Sequence, residues 1–124
     1  MVGETINTIL KGNSALQSLV STRIFPYVMN EDTPSPAVVY AIESLEPEYN
    51  KGSWAKDDIS FSVISVSTSY TELQSVVSAV RTALELSSAE GINRIYLNGM
   101  SEGYDHQAES FYNKLNFKVV VNKY

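Results

Sequence analysis

The stretch Asp57–Ser88, DDISFSVISVSTSYTELQSVVSAVRTALELSS, passes without interruption from a strand pattern into a capped amphipathic helix. Ile59, Phe61 and Val63 alternate with Ser60 and Ser62, as expected of a strand with one face against a core. The parity then changes, because Ile64 and Val66 are apolar while Ser65 and Ser67 are not. The strand therefore either carries a bulge near Val63 or is buried on both faces there. Ser69-Tyr70-Thr71-Glu72 has the spacing of a capping box, which predicts a helix from Tyr70 to Leu86. Leu73, Val76, Val77, Val80 and Leu84 share one side of it, with Glu72, Gln74, Ser75, Ser78, Arg81 and Glu85 opposite. The apolar side needs cover, and the strand just before it is the nearest apolar surface.

Working outward towards the N-terminus, Ile6, Ile9 and Leu10 fall on one helical face, and Gly12-Asn13 offers a left-handed stop. Ser14 can cap a second short helix carrying Leu16, Leu19 and Val20. Arg23-Ile24-Phe25-Pro26-Tyr27 turns extended, and Pro26, lacking an amide donor, makes this a short or edge strand. After a polar loop with Pro34 and Pro36, Val38, Tyr40 and Ile42 begin a second strand. Glu43 to Lys56 mixes charge, aromatics and Gly52 with little periodicity, which suits a hairpin arm or a mobile loop. Within it, Trp54 and Tyr49 either fold back onto the sheet or await a partner.

Beyond the central helix, Arg94 to Leu97 is extended, and Asn98-Gly99 and Glu102-Gly103 read as turns. The last run is the clearest strand: Phe111, Leu115, Phe117, Val119 and Val121 share one parity, broken only by Asn113. No repeat or linker divides the chain. The expectation is one α+β domain over residues 1–124, an antiparallel or mixed sheet of four to five strands with helices packed on one face.

A chain of 124 residues with 44% hydrophobic content buries roughly two-thirds of its unfolded surface and needs no staples. It has no cysteine, so disulfides and thiolate chemistry are excluded. Fourteen acids against nine Lys and Arg give a net charge of -5, which argues against a phosphate-binding footprint. No apolar run reaches the length of a membrane span, and the first residues lack a signal-peptide pattern. Synthesis in the cytoplasm and no membrane partner are expected.

Gly99-Met100-Ser101-Glu102-Gly103 spells the nucleophile-elbow pattern, but an elbow needs a strand before the serine and a helix after it. Here Tyr104-Asp105-His106 follows, and Asp105 and His106, as chain neighbours, are badly arranged to serve Ser101 as a triad. A glycine-bracketed surface turn is the plainer reading, with Ser101, Asp105 and His106 dispensable. A lone His106 among scattered acids does not make a metal site, and Asp57-Asp58 and Glu31-Asp32 read as solvated entrances to a strand and a loop. No Gly-rich phosphate loop is present. The expectation is no enzyme, no catalytic residue, no cofactor and no metal.

Three segments together resemble the small tail-completion proteins of long-tailed bacteriophages: Arg23-Ile24-Phe25-Pro26, Pro36-Ala37-Val38-Val39-Tyr40, and Phe61-Ser62-Val63 followed by Tyr70 and Val80-Arg81-Thr82-Ala83-Leu84. Leu115-Asn116-Phe117-Lys118-Val119 is similar to that family's last strand, while Ser44 to Lys56 matches nothing in it. The resemblance implies a tail terminator or head-tail joining protein of a phage or prophage. Such a subunit assembles into a ring, commonly a hexamer, meets tail-tube and head-connector proteins, and lets DNA pass without specific binding. Its place would be the virion tail or neck. Tyr49, Lys51, Trp54 and Lys56 are the expected interface between subunits, because seven of the fourteen acids lie between Glu31 and Asp58 and hold this arm out of its own core. The alternatives are a cytosolic α+β protein-binding module gripping a partner through the same segment, or a small serine hydrolase using Ser101.

Overall fold

The computed structural model describes residues 2–30, 32–50, 52–87 and 92–122, without the side chains of Asn50, Ser53, Trp54 and Asn93. Two short helices, α1 (Val2–Gly12) and α2 (Ser14–Val20), lead into β1 (Ile24–Pro26). Then come β2 (Ala37–Asn50), β3 (Ser53–Ser67), α3 (Tyr70–Leu84), β4 (Ile92–Asp105) and β5 (Ser110–Asn122). The strands form one sheet in the order β1-β2-β3-β5-β4, with β1 parallel to β2 and every other pair antiparallel. The fold is a single α+β domain with a mixed sheet and three helices packed on one face.

The core follows from the two periodicities meeting. Ile59, Phe61 and Val63 of β3 and Leu115, Phe117 and Val119 of β5 are buried, and so are Leu73, Val76, Val80 and Leu84 of α3. Ile6 and Leu10 of α1 and Leu16 and Val20 of α2 close the same cluster. At its centre Phe61 faces Phe117 across the strands, the rings stacked 5.3 Å apart. Val77 only flanks this core, whereas Ala79 and Ala83 are buried, so the helix turns its small residues inward where it lies close to the sheet.

Several expectations are corrected. β3 has no bulge near Val63, its pairing with β5 running unbroken from Lys56 to Ser67, and the other alternative holds: Ser62 and Val63, on opposite faces, are both buried. Ser65 and Ser67 point inward and are buried, and Ile64 and Val66 are half-buried on the sheet's other face. The bulges lie elsewhere, one at Glu43, where β2 shifts register between Ile42 and Ser44. That extra residue places the Glu43 carboxylate where Ser62 Oγ donates to it at 2.7 Å and Lys114 Nζ approaches to 3.1 Å. First the Ser62 hydroxyl and then Lys114 hold its pKa below the ordinary glutamate range.

Helix boundaries shift for stated reasons. α3 stops at Leu84 rather than Leu86, because Leu86 adopts a positive φ of 61° and its amide turns to the Ile95 carbonyl at 2.7 Å. Asn13, not Ser14, caps α2, accepting from the Leu16 amide at 2.9 Å, and Gly12 is not left-handed. The Ser69 hydroxyl accepts from the Glu72 amide as the capping box requires. Glu72 does not reach back directly: Ser67 Oγ stands between, donating to Glu72 at 2.8 Å and accepting from the Ser69 amide at 3.1 Å. Arg23 fixes the β1 entrance by donating from Nε to the Pro36 carbonyl at 2.8 Å.

The largest correction concerns β4. Neither Asn98-Gly99 nor Glu102-Gly103 is a turn; the strand runs through both, with Asn98 the extra residue at a register shift between Leu97 and Gly99. Gly103 is there to let the Tyr112 ring lie across it, since a Cβ at that position would stand 2.7 Å from the tyrosine hydroxyl. The chain reverses instead over residues 106–109, where Asp105 Oδ1 accepts from the Gln107 amide and Glu109 is left-handed.

Candidate functional site

The sheet has two contrasting ends. At one, Ser44 to Lys56 is hairpin and not loop: residues 44–48 of β2 lie against a part of β3 that also pairs with β5, and only the tip beyond the Lys56–Asn122 pair is two-stranded among the described residues. Tyr49 pairs with Trp54 and Asn50 with Ser53 around Gly52, whose φ of 82° supplies the reversal. Lys56 lies opposite Glu48, Nζ to Oε2 3.3 Å, an exposed pair that fixes register more than it stabilises. Tyr49 is 65% exposed; Lys51 and the Trp54 side chain lie outside the described residues.

The helix-facing side of this hairpin outruns the helices. Leu45 is 50% exposed although its cross-strand neighbour Ile59 is buried. Between α1 and the strands opens a groove of about 710 Å³, whose apolar walls are Val2, Tyr27, Tyr40, Ile42, Leu45 and Ile59. Tyr27 holds a positive φ while its amide donates to the Tyr40 carbonyl at 2.8 Å, and it and Val28 stand out into solvent beside the groove. Burial raises the Tyr40 phenol's pKa, with Tyr27 adding to the shift. This end thus presents apolar area that its own chain leaves wet.

At the opposite end, α3 begins above the close of β4 and the opening of β5. Glu102 accepts from Tyr70 Oη at 2.7 Å, from Asn113 Nδ2 at 2.9 Å and from Gln74 Nε2 at 3.2 Å. These hydrogen bonds, Tyr70 first and Asn113 next, hold its carboxyl below the usual glutamate range and push the Tyr70 phenol up. Phe111 packs edge-on against both Tyr70 and Tyr104, and Tyr104 against His106. Buried Asn113 keeps its Oδ1 without a partner.

This geometry removes the elbow reading of Gly99–Gly103. Ser101 is exposed on a continuous strand, paired with Lys114, with neither a sharp turn at the serine nor a helix after it. Among the described residues no group of three or more His, Asp or Glu is placed to hold a metal, and no helix is long and apolar enough to cross a membrane. The Glu102 cluster was not foreseen from the sequence. Its signal was available, since Met100, Glu102 and Tyr104 alternate with Ser101 and Gly103, but two glycines read as turns hid the strand.

A family model described as "Tail completion protein gp17" matches residues 4–122. Among solved structures, a chain in "Virion of native gene transfer agent (GTA) particle" superposes with a TM-score of 0.76 at 18% identity, over 94% of this chain and 91% of that one. At that identity the likeness concerns the fold. No curated protein sequence matches.

Proposed function

The chain belongs to the gp17 tail completion family, and from that premise we propose that it closes the tail as a ring, commonly of six copies, and joins it to the head connector. It is a phage-type tail structural protein, and its place is the tail or neck of the virion. The ring, the contact with the tail tube and the passage of DNA are the finer parts of the proposal. The observation that carries it is the hairpin end: exposed Tyr49 on the two-stranded tip, and exposed Leu45 on the β2 stretch behind it, beside the groove between α1 and the sheet.

A lone subunit leaves that area in water at roughly 25 cal/mol per Å², and a head-to-tail contact between copies removes it. Each arm then lies on the next subunit, with Tyr49 and Trp54 as apolar anchors and Lys51, with Lys56 once it exchanges its exposed Glu48 partner, giving register against a neighbour's acids. The net charge of -5 suits a channel that DNA crosses without sticking. Mass in solution, followed by imaging of the assembled species, tests the ring. Closed rings that lose the ability to form when the arm is shortened to Glu46 and Asp58 are the expected result; a strict monomer both alone and on isolated tail tubes would overturn the proposal.

A further inference from the structure

The corner around Glu102 has too many acceptors and no cation. Glu102 holds three hydrogen bonds, all from neutral donors, and a carboxylate accepts about four. Asn113 turns its amide into the same cluster, and its buried Oδ1 has no partner. Across residues 68–80 and 98–112, which form this corner, Glu72, Glu102, Asp105 and Glu109 are met by no lysine or arginine. The walls are aromatic, with Tyr70 47% and Tyr104 42% exposed and Phe111 edge-on to both.

We propose that this corner is a docking site for an arginine side chain carried on a basic segment of a different protein. A guanidinium brings a planar fork of donors to the carboxylate and stacks on aromatic faces, which a compact ammonium does less well. Glu102 is already oriented by Tyr70, Gln74 and Asn113, so little ordering remains for the partner to impose. The cation is foreign because a second copy of this chain would bring a net charge of -5 to an acidic corner, and four of its nine Lys and Arg are already engaged. Lys56 is paired with Glu48, Lys114 with Glu43 and Arg81 with Glu85, and Arg23 is tied to backbone carbonyls. The site rests on the tail reading only for where the partner is met, in the tail or neck; its chemistry stands apart from ring formation.

The test is an NMR titration of the full chain with N-acetyl-arginine amide, read on the Tyr70, Tyr104, Phe111 and His106 rings and the Asn113 side-chain amide. Saturable shifts confined to those groups are expected, weaker with N-acetyl-lysine amide and reduced about tenfold or more in apparent affinity by Glu102→Gln. Tyr104→Leu keeps the carboxylate and removes one wall, so it should weaken arginine binding severalfold in a folded protein. Shifts that never saturate, or that persist unchanged in Glu102→Gln, would overturn the site. If dilution of the protein alone moved the same resonances, a second copy would occupy the corner, and the foreign partner would be wrong. Ring formation is scored separately by mass, so a failed ring and a failed corner give different results.

Discussion

The hairpin end and the Glu102 corner belong to one sheet, yet they are unfinished in opposite ways. The hairpin end lacks cover: Leu45, Tyr49, Tyr27 and Val28 expose apolar area that more protein would bury. The Glu102 corner lacks a cation: its carboxylate is held in place by neutral donors and makes no ion pair among the described residues. Apolar area is non-directional and tolerates a mobile partner, whereas an ordered carboxylate asks for one donor geometry. One chain thus carries a surface suited to adhesion and another suited to recognition, with the stacked Phe61 and Phe117 between them.

The strongest way to break that comparison is to remove what the two ends share. Phe117→Ala deletes a fully buried ring and should cost about 3–5 kcal/mol. Hydrogen exchange should then show both ends opening together, because β3 and β5 run through both. If the hairpin kept its protection while the corner opened, the two ends would be separate cooperative units.

Next in size is Trp54→Ala, expected to weaken self-association by about 2 kcal/mol, as a buried aromatic anchor does, while thermal unfolding of the monomer moves little. Residues 44–56 should exchange faster in monomer than in assembly. Equal protection in both states would mean that the arm is complete within its own subunit.

A pair of glycines sharpens the contrast at about 1 kcal/mol each. Gly52→Ala strains a left-handed backbone, and no second-site change of a side chain relieves that. Gly103→Ala instead pushes the Tyr112 ring aside, so its cost should vanish in a Tyr112→Ser background. Double-mutant cycles by chemical denaturation decide it; a Gly103→Ala penalty that survives loss of Tyr112 would place the constraint in the backbone.

What was legible in the sequence was periodicity. The alternation of Ile59, Phe61 and Val63 and the 3.6-residue spacing from Leu73 to Leu84 located the core strand, the main helix and the side they bury, and the single break at Asn113 is a real polar intrusion. Illegible was anything set by cross-strand contact. Gly103 looks like a turn until Tyr112 is known to lie over it, and the Glu43 bulge depends on Ser62 and Lys114, far along the chain. For the same reason Ser101 looked like a turn residue when it is a strand residue. In the sequence Glu102 looks like a turn residue and the variable position of a misleading motif, since its partners Tyr70, Gln74 and Asn113 come from two other elements.

The smallest effect concerns acid. Glu102's carboxyl titrates lower in the folded chain than in the unfolded one, because the Tyr70 hydroxyl and the Asn113 amide bind its charged form. A depressed folded pKa gives stability that is present above the unfolded glutamate pKa, about 4.3, and is lost as pH falls through the lower folded value. Glu102→Gln should therefore lower the melting temperature at pH 6, and the difference should shrink as pH falls through the folded value, where the wild-type carboxyl takes up its proton. The side chain is exposed, so solvent and salt screen the effect and the shift will be modest. Glu43→Gln, whose carboxyl is lowered by Ser62 and Lys114, should show the same direction of pH dependence. The sharper reading is the Tyr70 phenol, whose titration in alkali should move down toward the ordinary tyrosine range in Glu102→Gln and stay put in Glu43→Gln. Equal movement in both variants would mean that the Glu102 to Tyr70 contact does not set the chemistry of that corner.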